Sequence, residues 1–162
     1  MPSTQDLRAL TASTLLLSGI GSGISLSLST FLVPRLLEAP VPVMLKQWNS
    51  TFIQGRKSMP VLSALAALGY WYLAAKTKSP KLFGAAGALS VGIVPYTYVC
   101  MMKTNLELVK REREVNESQA TLTEAVEKSS KWLVDSWGML NLGRAGMMIL
   151  GFGLGLGGVF IE

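Results

Sequence analysis

Charged residues are missing from long windows of this chain, and such windows recur. From Leu10 to Val33 the run "LTASTLLLSGIGSGISLSLSTFLV" holds 24 residues and no charge. As a helix rising 1.5 Å per residue it extends about 36 Å, enough to cross the hydrocarbon layer of a bilayer. Three further apolar segments follow, at residues 59–76, 82–102 and 142–161. The pattern predicts an all-α fold: a single membrane domain over 1–162, built as a four-transmembrane-helix bundle. The first segment is longer than the apolar part of a signal peptide, and "FLVPRLLE" is a poor small-residue cleavage site, so it reads as a retained span. Pro95 should kink the third span, which membranes tolerate where neighbours re-satisfy the freed carbonyl.

Two longer connections alternate with the spans and lie on one side of the bundle. The first, "PRLLEAPVPVMLKQWNSTFIQGRK", mixes prolines with an amphipathic stretch around Met44, Leu45, Trp48 and Phe52. The second, 103–139, is polar and charged, rich in helix formers, and free of proline and glycine before Gly138; it predicts helical extensions beyond the membrane. Arg35, Arg56, Lys57, Lys103 and Arg144 lie close to span ends on this side, which favours placing it in the cytosol. Sequons at Asn49 and Asn116 offer a check, since their glycosylation in a eukaryotic host would reverse that orientation. Glycine pairs four residues apart, Gly151 with Gly155, Gly153 with Gly157 and Gly19 with Gly23, predict close helix packing. The same spacing also suits homo-oligomers paired through the glycine-rich spans.

Composition narrows the chemistry. Charged residues make up 15% of the chain, against about 25% in soluble domains. The net charge of +5 sits at segment ends rather than in a patch with interleaved aromatics, which argues against nucleic-acid binding. The single cysteine, Cys100, lies in an apolar run and reads as a small hydrophobe. There is no histidine. That removes His-ligated haem, the facial-triad iron site and the usual zinc sites, so no metal is expected.

Polar side chains inside apolar segments are the candidates for function. Trp137, Asn141 and Arg144 point within about 60° of one another at the start of the fourth span. Thr97, Met101, Thr104, Asn105 and Leu108 form a second stripe at the same end of the third. Either stripe alone reads as a boundary anchor, because Trp and Arg favour the lipid interface. Two at one end of two spans read better as a shared pocket, with Gln47, Trp48, Asn49 and Arg56 of the first connection closing it. Glu38 and Asp135 are the carboxylates nearest the apolar segments, and a low-dielectric site would suit either to proton abstraction.

Four blocks, "SGIGSGISLSLSTFLVPRLLE", "MLKQWNSTFIQGRKSMPVLSALAALGY", "GIVPYTYVCMMKTNLELV" and "WGMLNLGRAG", carry a resemblance in order and spacing over nearly the whole chain. The chain resembles the anthrone oxygenase family, small four-span membrane proteins of fungal polyketide pathways. The stretch "KREREVNESQATLTEAVEKSSK" matches no family motif. The resemblance implies a monooxygenase that oxidises a flat, hydroxylated anthrone to an anthraquinone with O2 as co-substrate and no cofactor, in the endoplasmic reticulum or another endomembrane. The aromatic polyketide would come from the lipid bilayer. In the corresponding chemistry a carboxylate or water removes the doubly benzylic proton, and Arg144, Asn141 and Asn105 stabilise the oxyanion. Trp48, Trp137 and Tyr96 pack on the rings, with Gln47, Arg56, Thr97, Met101 and Thr104 completing the substrate pocket. Two other classes compete. A small transporter would want an acidic residue in its spans, and there is none; a scaffold would dock soluble enzymes through the charged connection.

Overall fold

The computed structural model describes residues 3–118 and 123–161. They form four long helices: α1 Thr4–Glu38, α2 Val41–Lys76, α3 Pro80–Glu117 and α4 Glu124–Phe160. No strand occurs among the described residues. Each helix is long and apolar enough to cross a membrane, and the protein is a multi-pass membrane protein. α1 opens with a capping box. The Asp6 amide donates to the Ser3 hydroxyl at 3.1 Å and the Ser3 amide donates to the Asp6 carboxylate at 3.0 Å. Pro42 and Pro80 occupy first turns, where a missing N–H costs nothing. Each helix packs on its neighbours in the order α1–α2–α3–α4–α1, an up-and-down bundle.

The first connection is shorter than its prolines suggest. α1 runs on to Glu38, Ala39 and Pro40 make the turn, and α2 begins at Val41. The amphipathic stretch is therefore the opening of α2. Its apolar side, Val41, Met44, Leu45 and Trp48, packs with Val33 and Leu36 of α1, Met101 and Leu108 of α3, and Val134 and Trp137 of α4. This is the largest apolar cluster among the described residues, and much of it lies outside the four expected spans. The charged second connection likewise prolongs α3 and α4. There Arg111 donates to the Ser129 hydroxyl at 3.0 Å and pairs with Glu107 and Glu114 of its own helix, tying α3 to α4.

Three interruptions break the regularity of the helices near this end. Pro34 has no N–H and clashes with the carbonyl four residues back. α1 absorbs this with a π turn over Leu28–Leu32, whose last bond runs from the Val33 amide to the Leu28 carbonyl. α3 has a π turn over Thr97–Met101, just past Pro95. Pro60 lies inside α2.

Only some of the expected glycine pairs make close contacts. A methyl built on Gly151 would meet the Ala86 carbonyl oxygen at 3.2 Å, so α3 and α4 approach at backbone distance there. Gly155 lies flat against the Tyr70 ring, with no room for a side chain. Gly153, Gly157 and Gly23 face open space instead. Gly155→Val should therefore destabilise the bundle by about 1–3 kcal/mol, the usual cost of overpacking. Gly153→Val should leave it unchanged. Thermal unfolding of the two variants in one detergent measures the difference.

Candidate functional site

A cavity of about 450 Å³ lies between α2 and α3, in the half of the bundle nearer the α1–α2 turn. This is within the range of about 300–1,000 Å³ common for small-molecule sites. Phe52, Arg56 and Met59 line it from α2, and Thr97, Met101 and Asn105 from α3. Leu28 of α1 and Trp137 and Arg144 of α4 form the back wall. Pro60 of α2 and Thr97, Tyr98 and Met101 of the α3 π turn line it, so both helix irregularities border the cavity. Tyr98 and Leu106 also line it while remaining 65% and 63% exposed, so they form a rim on the outer face of the bundle.

The π turn selects which α3 residues reach the wall. It takes an extra residue into one turn, so positions four apart stay aligned where a plain α-helix would drift. Thr97, Met101 and Asn105 consequently share the cavity face, and Thr104 falls outside it, half-buried. On α2 the aromatic wall is held from behind. Trp48 is fully buried; it stacks on Phe52 at 5.1 Å between ring centres and meets Trp137 edge-on at 5.9 Å. Trp48 thus braces both aromatic walls without lining the cavity itself.

Two polar atoms of the lining residues are unpaired. Arg144 Nε and Asn105 Oδ1 are buried with no hydrogen-bond partner. No carboxylate comes within ion-pair distance of Arg144 among the described residues, and none lines the cavity. A buried donor or acceptor without a partner is costly, and the great majority in folded proteins are paired. Both residues line the cavity, so a ligand with oxygen substituents would find a donor and an acceptor in its wall. Nearer the rim, the Arg56 guanidinium rests over the Phe52 ring at 5.8 Å.

The Anthrone oxygenase family model matches residues 48–154, from Trp48 past the last residue of the cavity wall. The chain belongs to the anthrone oxygenase family. It is 30% identical over 141 residues to an anthrone oxygenase of Paecilomyces divaricatus, covering 83% of this chain and 85% of the relative. A monooxygenase of Dothistroma septosporum is 33% identical over 141 residues, 83% of this chain and 74% of its own length. An anthrone oxygenase of Emericella nidulans is 36% identical over 90 residues, 52% of this chain and 47% of its own. No solved structure matches the chain. Family membership makes the protein a monooxygenase-like enzyme.

In this anthrone oxygenase-family protein the remaining candidates take other places. Asn141 is fully buried, and its amide nitrogen donates to the Ser25 carbonyl and to the Ser29 hydroxyl, both at 2.8 Å. Ser29 donates onward to the Gly138 carbonyl at 2.8 Å. Both Asn141 amide hydrogens are thereby used to join α4 to the edge of the α1 π turn, and neither reaches the cavity. The Tyr96 hydroxyl donates to the Leu140 carbonyl at 2.9 Å, joining α3 to α4 against Gly143. Gln47 and Asp135 are exposed, and Glu38 pairs with Arg35 at 3.1 Å on the surface. Phe52, Met59 and Tyr98 are among the wall residues that the stripes did not select. Phe52 could have been found one turn before Arg56 on a helix. Asn141→Ala should lower stability by about 0.6 kcal/mol and by no more than about 1.7 kcal/mol, the mean and maximum for side-chain hydrogen bonds within a membrane bundle. Unfolding of the variant in mixed detergent micelles gives the value.

Proposed function

We propose that this protein oxidises an anthrone-type polyketide to the corresponding anthraquinone, with O2 as the only co-substrate and no metal or organic cofactor, in an endomembrane. The observation that carries the reading is the unpaired Arg144 at the back of an apolar, aromatic-walled cavity, in a chain of this family. A sequence without histidine supports the cofactor-free form of the reaction.

The chemistry follows from the walls. A planar tricycle slides past Tyr98 and Leu106 and packs against Phe52 and Trp137. Loss of one proton from the methylene carbon leaves an anion delocalised onto the ring oxygens. That anion passes one electron to O2, and the radical pair joins to a carbon-bound peroxide. Loss of water from the peroxide leaves the quinone carbonyl, so that the methylene and one O2 become a carbonyl and one water. Arg144 would donate to the oxygen that carries the developing charge. The unpaired Asn105 carbonyl would accept a phenolic O–H, fixing the tricycle in place. Both residues stand in the wall before the ligand arrives, in a largely apolar site, where such donors act most strongly.

Purified protein incubated with an anthrone under air should produce quinone absorbance at a rate unaffected by chelator. Arg144→Ala should reduce kcat by about 10²–10³, the usual loss for one preorganised donor, with helix content unchanged. Glu38→Gln and Asp135→Asn, which alter surface carboxylates, should turn over at the wild-type rate. No quinone from any of several anthrones would leave a non-catalytic scaffold as the better reading.

A further inference from the structure

We propose that the cavity takes its ligand in the ionised form, and that its cationic wall, rather than a protein base, draws the proton off. The inference deepens the functional reading above and rests on it. It starts from the charges that face the cavity, taken helix by helix. α1 contributes only Leu28. α2 contributes Arg56, α4 contributes Arg144, and the ionisable group that α3 presents is Tyr98 at the rim. Tyr96 lies beside this wall, with its hydroxyl hydrogen committed to the Leu140 carbonyl. Two guanidiniums therefore face a largely apolar volume that holds no carboxylate from the described residues.

Such a site is electrically incomplete. Arg56 is exposed and Arg144 is half-buried with its Nε out of water, and a cation so desolvated is normally balanced by an acidic partner. Arg144 has no such partner in the described structure, and its Nε makes no hydrogen bond at all. A neutral tricycle would leave that imbalance in place. A phenolate or enolate oxygen would remove it, accepting from Arg144 while Arg56 balances charge spread towards the rim. The proton step is simple to write. The ligand O–H or C–H bond breaks, its electron pair stays on the delocalised ligand, and the proton leaves to water at the cavity mouth. Among the described residues no carboxylate lines the wall to receive it. The protein acts by making the ligand a stronger acid, as a cation within about 4–6 Å lowers an acid's titration midpoint by about 1–3 pH units.

The test uses 2-hydroxyanthraquinone, a planar tricycle whose visible absorption shifts on ionisation, with full-length protein in uncharged detergent micelles. Quenching of tryptophan fluorescence, to which Trp137 in the cavity wall contributes, reports binding separately from ionisation. The bound probe should ionise about 1–3 pH units below the same probe in empty micelles. That shift should persist from low to high salt, because a buried pair is screened little. Arg144→Gln should remove most of it and Arg56→Gln a smaller part, while Arg144→Lys, which keeps the charge, should retain much of it. Helix content and monodisperse elution confirm that each variant is folded; should Arg144→Gln fail there, the wild-type shift and Arg56→Gln still decide. Binding with an unshifted titration, or a shift surviving both glutamine variants, overturns the inference and leaves the oxidation reading standing if anthrone turnover persists. Absence of both binding and turnover overturns the two together.

Discussion

Inside a bilayer a polar group has no water to turn to, and the structure is organised by where each buried polar side chain finds its partner. Asn141 meets the requirement in full on its donor side. It bridges α4 to the edge of the α1 π turn, which Pro34 imposes. That bridge holds the two helices carrying the back wall at a fixed register. Arg144, less than one turn further along α4, has no such partner. The contrast between two polar residues on one stripe separates the part of the helix that builds the protein from the part turned towards a ligand.

The aromatic residues obey a related division of labour. Trp48 never touches the cavity, yet it fixes Phe52 by stacking and Trp137 by an edge contact. A wall of flat rings keeps its shape only if something rigid stands behind it, and the apolar cluster at the α1–α2 end supplies that support. This explains why the helices run well past the length a membrane needs. Their extensions brace the cavity from beyond the apolar segments.

The spans were legible because absence of charge over 20 residues has few other meanings. The first connection was not, because prolines at 34, 40 and 42 suggest a loop, whereas each occupies a turn, a π-turn exit or a first helical turn. Thr97, Met101, Asn105, Trp137 and Arg144 were found by helical periodicity, and Arg56 by its place in the connection on the same side; all six line the cavity. Thr104 misses it because the π turn in α3 shifts the register, and nothing in the sequence locates such a turn. Asn141 and Tyr96 share faces with cavity residues but spend their hydrogens on backbone carbonyls of neighbouring helices. A periodic pattern gives a direction from the axis and does not reveal what stands there. Glu38 and Asp135 were near in sequence, and nearness along a helix end says nothing of the face.

The rim formed by Tyr98 and Leu106 changes what concentration means for this protein. Both stand on the outer surface of α3, and Tyr98 lies within its apolar segment, where a bilayer would cover it. A ligand dissolved among acyl chains would meet the cavity there, from within the lipid sheet. Occupancy is then governed by the mole fraction of ligand dissolved in the membrane, a surface quantity. Adding more empty lipid dilutes such a ligand even when the aqueous volume stays constant, so the bilayer acts both as solvent and as reservoir for the site.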